Sequence, residues 1–97
     1  MRADPADRVP TKRRGPSPTF DPKLAAAVGE VTRGLRREQL MAQDALAFAA
    51  GIDRSYYGKL ERGERQPSLG MLLQIAATLK ISGAELVALT ESRLQRS

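Results

Sequence analysis

From Leu24 onward the apolar residues recur at helical spacing: Leu24, Val28, Val31 and Leu35 are separated by 4, 3 and 4 residues, which lines them along one helix face. Asp21 followed by Pro22 marks the start of that helix. The aspartate can accept from a free backbone N–H, and proline in the first turn gives up no bond. The pattern predicts a first helix over about 22–38. A short second helix fits residues 43–50 with Leu46 and Ala47 inward, and Gly51 supplies the left-handed turn after it. Asp53 then caps a third helix over about 54–62, with Tyr56, Tyr57 and Leu60 on its apolar side and Gly63 at its end. Beyond the loop at 64–67, Ser68 caps a fourth helix carrying Leu69, Leu72, Leu73, Ala76 and Leu79. Ser82 and Glu85 have the capping-box spacing that opens a fifth, with Leu86 and Val87. No stretch alternates with period two for long enough to make a strand, so the predicted class is all-α with five helices.

The first twenty residues follow a different rule. Five of the six prolines fall at positions 5, 10, 16, 18 and 22, among Arg2, Arg8, Lys12, Arg13 and Arg14, with Val9 and Phe20 as the main apolar residues after Met1. Such a segment cannot build a core, so residues 1–20 read as a flexible, extended basic arm and 21–97 as the folded domain. Sixteen Lys plus Arg against eleven Asp plus Glu give a net charge of +5 and favour a polyanionic partner such as nucleic acid. The absence of cysteine and histidine excludes a disulfide framework, a thiolate zinc site, imidazole ligands and the usual general base. The acidic residues sit mostly at helix ends or on solvated faces. No catalytic constellation results, and the expectation is a non-enzyme without metal or cofactor. No apolar run approaches the ~20 residues of a membrane helix and no hydrophobic signal region opens the chain, so a cytoplasmic protein is expected.

The stretch from Leu46 through Ala47, Gly51, Ile52, Ser55, Tyr56, Leu60, Glu61 and Arg62 to Gly63 has the spacing of two short helices joined by a tight glycine turn. With Leu35-Arg36 and Gln43 upstream, and Pro67-Ser68-Leu69, Ile75-Ala76 and Ile81-Ser82 downstream, the chain resembles the phage-repressor (Cro/Xre) family of DNA-binding domains over about residues 24–90. Physics accounts for many of these positions independently: Ala47 is small where helices cross closely, and Leu46, Ile52 and Leu60 close the wedge between them.

The resemblance implies that helix 3 enters the major groove of double-stranded DNA, with Arg54, Ser55 and Lys59 toward the bases. Arginine and lysine at such positions suit guanine O6 and N7, which implies a G-containing half-site. Gln43, Tyr56, Arg62 and Arg65 are the implied phosphate contacts, and Lys12, Arg13 and Arg14 of the arm are candidates to follow the backbone or enter a minor groove. Arg36 and Glu61 are implied to form a bidentate ion pair that fixes the recognition helix to the body. Val87, Leu89 and Leu94 on helix 5 are candidates for a homodimer interface, which would set two recognition helices about one DNA turn apart on a near-palindrome.

The chain also departs from the family pattern. Ala42 and Ala45 stand where the family has a helix-2 capping box, and Tyr57 where it has Ile or Val. Phe48 replaces a polar surface residue and is expected to be covered, by the arm or a second subunit. Gly58 lies inside the recognition helix, and Lys80 replaces a helix-ending glycine, where a positive φ would be strained. The leading functional reading is a sequence-specific regulator, a repressor or autoregulatory controller of phage, plasmid, restriction-modification or toxin-antitoxin type. An activator that touches polymerase from the same bound position also fits. The alternative is an antitoxin or adaptor that acts through protein contacts, with a toxin as partner.

Overall fold

The computed structural model describes residues 20–96. The arm positions Lys12, Arg13 and Arg14 lie outside that range. Five helices follow one another: α1 Pro22–Glu38, α2 Gln43–Ala50, α3 Arg54–Glu61, α4 Leu69–Thr78 and α5 Gly83–Arg96. Each of the first, third and fourth begins on a side-chain cap. Asp21 accepts from the Lys23 and Leu24 N–H groups, Asp53 from that of Tyr56, and Ser68 from that of Met71. Ser82 Oγ likewise accepts from the Glu85 N–H at 3.0 Å at the start of α5. Only α2 starts without one, since Ala42 at its N-cap has no side-chain acceptor. Gly51 ends α2 at φ 73° and Gly63 follows α3 at φ 77°.

The core is built from Leu46, Ala47, Ala50, Ile52, Tyr57, Leu60, Ile75, Ala76, Leu79 and Leu86, all buried, with Val31, Leu35, Met41, Tyr56, Met71, Leu72 and Ile81 closing around it. The helix α1 packs on both α3 and α5, α2 on α3 and α4, and α4 on α5. Because α1 is covered on two sides, its buried residues are Ala25, Ala27, Val28, Gly29, Thr32 and Arg36. The apolar line of Leu24, Val31 and Leu35 is only half-buried. The reason is close backbone approach. A Cβ added at Gly29 would lie 2.5 Å from Leu60 O and 2.8 Å from Glu61 O, so α1 seats the end of α3 against a glycine.

Two expectations are refined here. Within the described residues nothing covers Phe48, which is 89% exposed. The candidate interface residues do not share one face: Val87 and Leu94 line a groove with Leu24, Val28 and Leu72, whereas Leu89 lies beside Val31, Gly34 and Leu35. Helical geometry is the cause, since positions 87 and 94 are a full two turns apart and 89 falls on the opposite flank. Lys80 adopts φ 61°, and Leu40, in the turn between α1 and α2, adopts φ 56°. Among the described residues no single helix is long and apolar enough to cross a membrane.

Candidate nucleic-acid interface

The turn at Gly51 and the Asp53 cap set α3 across α2 so that Tyr57 and Leu60 enter the core and Arg54 and Ser55 face solvent. The start of α2 lies beside this exposed face. Gln43, Asp53, Arg54, Ser55, Gly58 and Arg62 line one open cleft. The structure thereby brings together two base-facing candidates, Arg54 and Ser55, with two phosphate candidates, Gln43 and Arg62. Lys59, half-buried, and Arg65, exposed in the following loop, do not line the cleft. Tyr56 packs partly against the core.

Several of these side chains already have partners. Arg54 Nε lies 3.4 Å from Asp44 Oδ1, linking α3 to the first turn of α2, with both side chains largely exposed. Arg62 Nε donates to Glu64 Oε2 at 2.9 Å, and Arg65 Nη1 to the Glu64 carbonyl at 2.9 Å. The Arg62–Glu64 hydrogen bond raises the guanidinium pKa and lowers that of the carboxyl. These exposed pairs are weak in water.

Behind the cleft lies a buried polar cluster around Glu61. Arg36 Nε donates to Glu61 Oε2 at 2.6 Å and Arg36 Nη2 to Oε1 at 2.9 Å, a bidentate pair. Tyr57 donates its hydroxyl to Oε2 at 2.5 Å, and Gln43 Nε2 donates to Oε1 at 3.0 Å. Arg33 Nη2 donates to the Glu61 carbonyl at 2.9 Å. Burial alone would push the Glu61 carboxyl up, but the hydrogen bonds from Arg36, Tyr57 and Gln43 outweigh it and hold the group below its ordinary value. The hydrogen bond to Glu61 raises Arg36, while burial and then the bond to Glu61 push the Tyr57 phenol far upward. No buried side-chain nitrogen or oxygen among the described residues lacks a partner. Gln43 thus touches both the cleft and this cluster, so the first residue of α2 is positioned by the same carboxylate that fixes α3.

Sequence reasoning missed three members of the arrangement. Tyr57 was read as apolar, although its i, i+4 relation to Glu61 carries the signal. Gly29 and Asp44 had no local signal, because their partners are reached only through the packing of α1 on α3 and of α2 on α3. Among the described residues no group of three or more acidic, histidine or cysteine side chains could hold a metal ion.

A capped helix set across a shorter one by a left-handed glycine turn, with basic and hydroxyl groups outward and a locked carboxylate behind, defines a helix-turn-helix DNA-binding protein. The chain belongs to the helix-turn-helix family HTH_3, which it matches over residues 33–86, and is a transcriptional regulator of that type. It is 36% identical over 64 residues to the HTH-type transcriptional regulator y4dJ of Sinorhizobium fredii, covering 66% of this chain and 83% of that protein. Among solved structures, the restriction-modification controller protein C.AhdI of Aeromonas hydrophila is similar at 42% identity and a TM-score of 0.62, over 64% of this chain and 94% of that one. The controller protein C.Esp1396I, solved as a tetramer on its natural 35 base-pair operator, is similar at 26% identity and a TM-score of 0.68, over 74% of this chain and 95% of that one.

Proposed function

We propose that the protein binds a near-palindromic operator as a homodimer, inserts α3 into the major groove, and acts as a repressor or autoregulatory controller. One observation carries this reading: Arg54 and Ser55 project from the exposed face of α3 into the same cleft as Gln43 and Arg62. Arg54 is placed to bond guanine edges and Ser55 to accept or donate at a neighbouring base, with Lys59 one turn further on. The uncapped start of α2 leaves N–H groups for a phosphate, so the missing capping box, a defect in the isolated domain, suits an anion-binding end. Gln43, Tyr56, Arg62 and Arg65 hold the backbone around it, and Lys12, Arg13 and Arg14 extend the basic footprint. Apolar side chains left exposed on opposite flanks of α5, Val87 on one and Leu89 on the other, leave either flank open to a second copy. The similar controller protein C.Esp1396I, a tetramer on its operator, supports operator binding by an oligomer.

A specific observation favours a second reading. Phe48 is 89% and Leu40 93% exposed, two apolar side chains open to another protein such as a toxin or polymerase. Selection of duplexes from a random pool at about 0.15 M salt separates the two. Recovery of a near-palindrome with half-site centres about 10–11 base pairs apart, lost in Arg54→Ala/Lys59→Ala, supports operator reading through α3. Arg65→Ala should instead weaken all sequences about equally and lower the salt slope by roughly one unit. Only salt-sensitive, sequence-independent binding by the unaltered protein would favour the protein-contact reading.

A further inference from the structure

The ion pair between Asp44 and Arg54 joins the two helices of the unit across the exposed surface proposed to face DNA. A negative charge in the first turn of α2 is unexpected where phosphate is to dock, because it repels the ligand that the exposed N–H groups attract. Its geometry suggests what offsets that cost. The atom of Arg54 nearest the carboxylate is Nε, at 3.4 Å. The carboxylate thus approaches the guanidinium from its Nε side. A guanidinium held by Nε and presenting its two outer nitrogens is oriented for the O6 and N7 edge of a guanine. Held loosely in water by two side chains that are 66% and 70% exposed, the pair strengthens when DNA excludes solvent around it.

We infer that Asp44 is a specificity-determining positioning residue. It steers Arg54 toward a base edge, withholds it from neighbouring phosphates, and repels duplex on which Arg54 finds no matching base. The inference rests on the reading of Arg54 as a base contact. Non-specific binding is dominated by phosphate neutralisation, so a carboxylate at the interface weakens it directly. Where Arg54 meets its base, the carboxylate becomes part of a hydrogen-bonded chain running from protein to guanine and costs far less. Asp44 therefore widens the gap between cognate and random DNA by making random DNA worse, the repulsive half of specificity.

The test uses the full chain, the duplex recovered from the random pool, and a scrambled duplex of equal length and composition. Asp44→Asn should leave the thermal midpoint unchanged, since the pair is exposed. It should bind scrambled duplex about threefold more tightly, with a salt slope steeper by about one unit. The cognate-to-scrambled ratio should fall about tenfold. Asp44→Glu, which keeps the charge, should restore weak binding to scrambled duplex. In an Arg54→Ala background, Asp44→Asn should change the ratio by less than about twofold, because there is no guanidinium left to position. If Asp44→Asn lowers the ratio equally in both backgrounds, Asp44 itself reads a base and the positioning role is wrong. If Asp44→Asn weakens scrambled duplex, the repulsive role is wrong. If Arg54→Ala alone leaves the ratio intact, or no duplex is enriched, the base-reading assignment fails and the inference falls with it.

Discussion

The hydroxyl of Tyr57 donates to Glu61 Oε2 at 2.5 Å, one helical turn along α3, and Arg36 Nε reaches that same oxygen from α1 at 2.6 Å. The carboxylate is therefore shared between the recognition helix and the body of the protein. Tyr57→Phe removes one charge-assisted bond without opening a cavity and should destabilise by about 1.5 kcal/mol. Arg36→Ala strands a buried carboxylate and should cost about 3–5 kcal/mol. Urea unfolding of the two variants tests the order; equal losses would mean that Tyr57 and Arg36 hold Glu61 equally.

The same cluster sets the pH dependence. Glu61 is held below its ordinary value, so its contribution is complete above about pH 4.3, the value of an unfolded glutamate, and is lost as pH falls through the lower folded value. Tyr57 is pushed upward, so its contribution is complete below about pH 10 and is lost as pH rises beyond it. Stability should be flat between these limits. Glu61→Gln should be clearly less stable than the unaltered protein at pH 7, and the gap should narrow steadily as pH falls from about 4.3 to 2.5, as followed by the midpoint of thermal unfolding. A constant difference across that range would show that the carboxylate charge is not what stabilises.

Gly29→Ala should be among the most damaging small substitutions in the chain. The new Cβ meets backbone carbonyls of Leu60 and Glu61, which cannot swing aside as a side chain would. Overpacking of this kind costs about 1–3 kcal/mol, and displacement of α3 should also weaken DNA binding. Gly34→Ala, on the same helix with nothing within 4 Å, is the matched control and should stabilise by about 0.5–1 kcal/mol. Circular dichroism melts of the pair measure the difference.

Lys80 and Leu40 hold positive φ angles of 61° and 56° with side chains that gain little from burial. Replacing either by glycine should stabilise by about 0.5–1 kcal/mol, because the left-handed strain is relieved at a turn where glycine is at home. Chemical denaturation midpoints that move downward for both would show that the turns are not strained.

Gly58 is covered by Arg62 and Gln43, whose side-chain ends would lie 3.3 Å and 3.6 Å from an added Cβ. Both are flexible tips. Gly58→Ala should therefore raise helix stability by about 0.5 kcal/mol while displacing Arg62 from the cleft, weakening duplex binding about threefold. Melting and titration of one variant read both effects.

Much of this protein is legible in the linear chain, because the signals involved are local. Asp21-Pro22, Asp53 and Ser68 satisfy backbone groups two or three residues away, and Gly51 relieves a steric limit at its own φ, so helix starts and the central turn follow from neighbours alone. The outward basic residues of α3 follow from helical period and the inward pull of Tyr57 and Leu60. Tertiary packing decided the rest. The stripe on α1 was turned toward Ala25, Gly29, Thr32 and Arg36 because two helices cover it, which no single-helix periodicity encodes. Val87 and Leu89, both apolar on one helix, were sent to different grooves by the buried Leu86 and Thr90 between them. Above all, the meeting of Asp44 with Arg54 and of Gln43 with Glu61 depends on how α2 crosses α3. Charge and hydrogen-bond partners separated by 10 and 18 residues are chosen by that crossing, and a sequence states only that they are available.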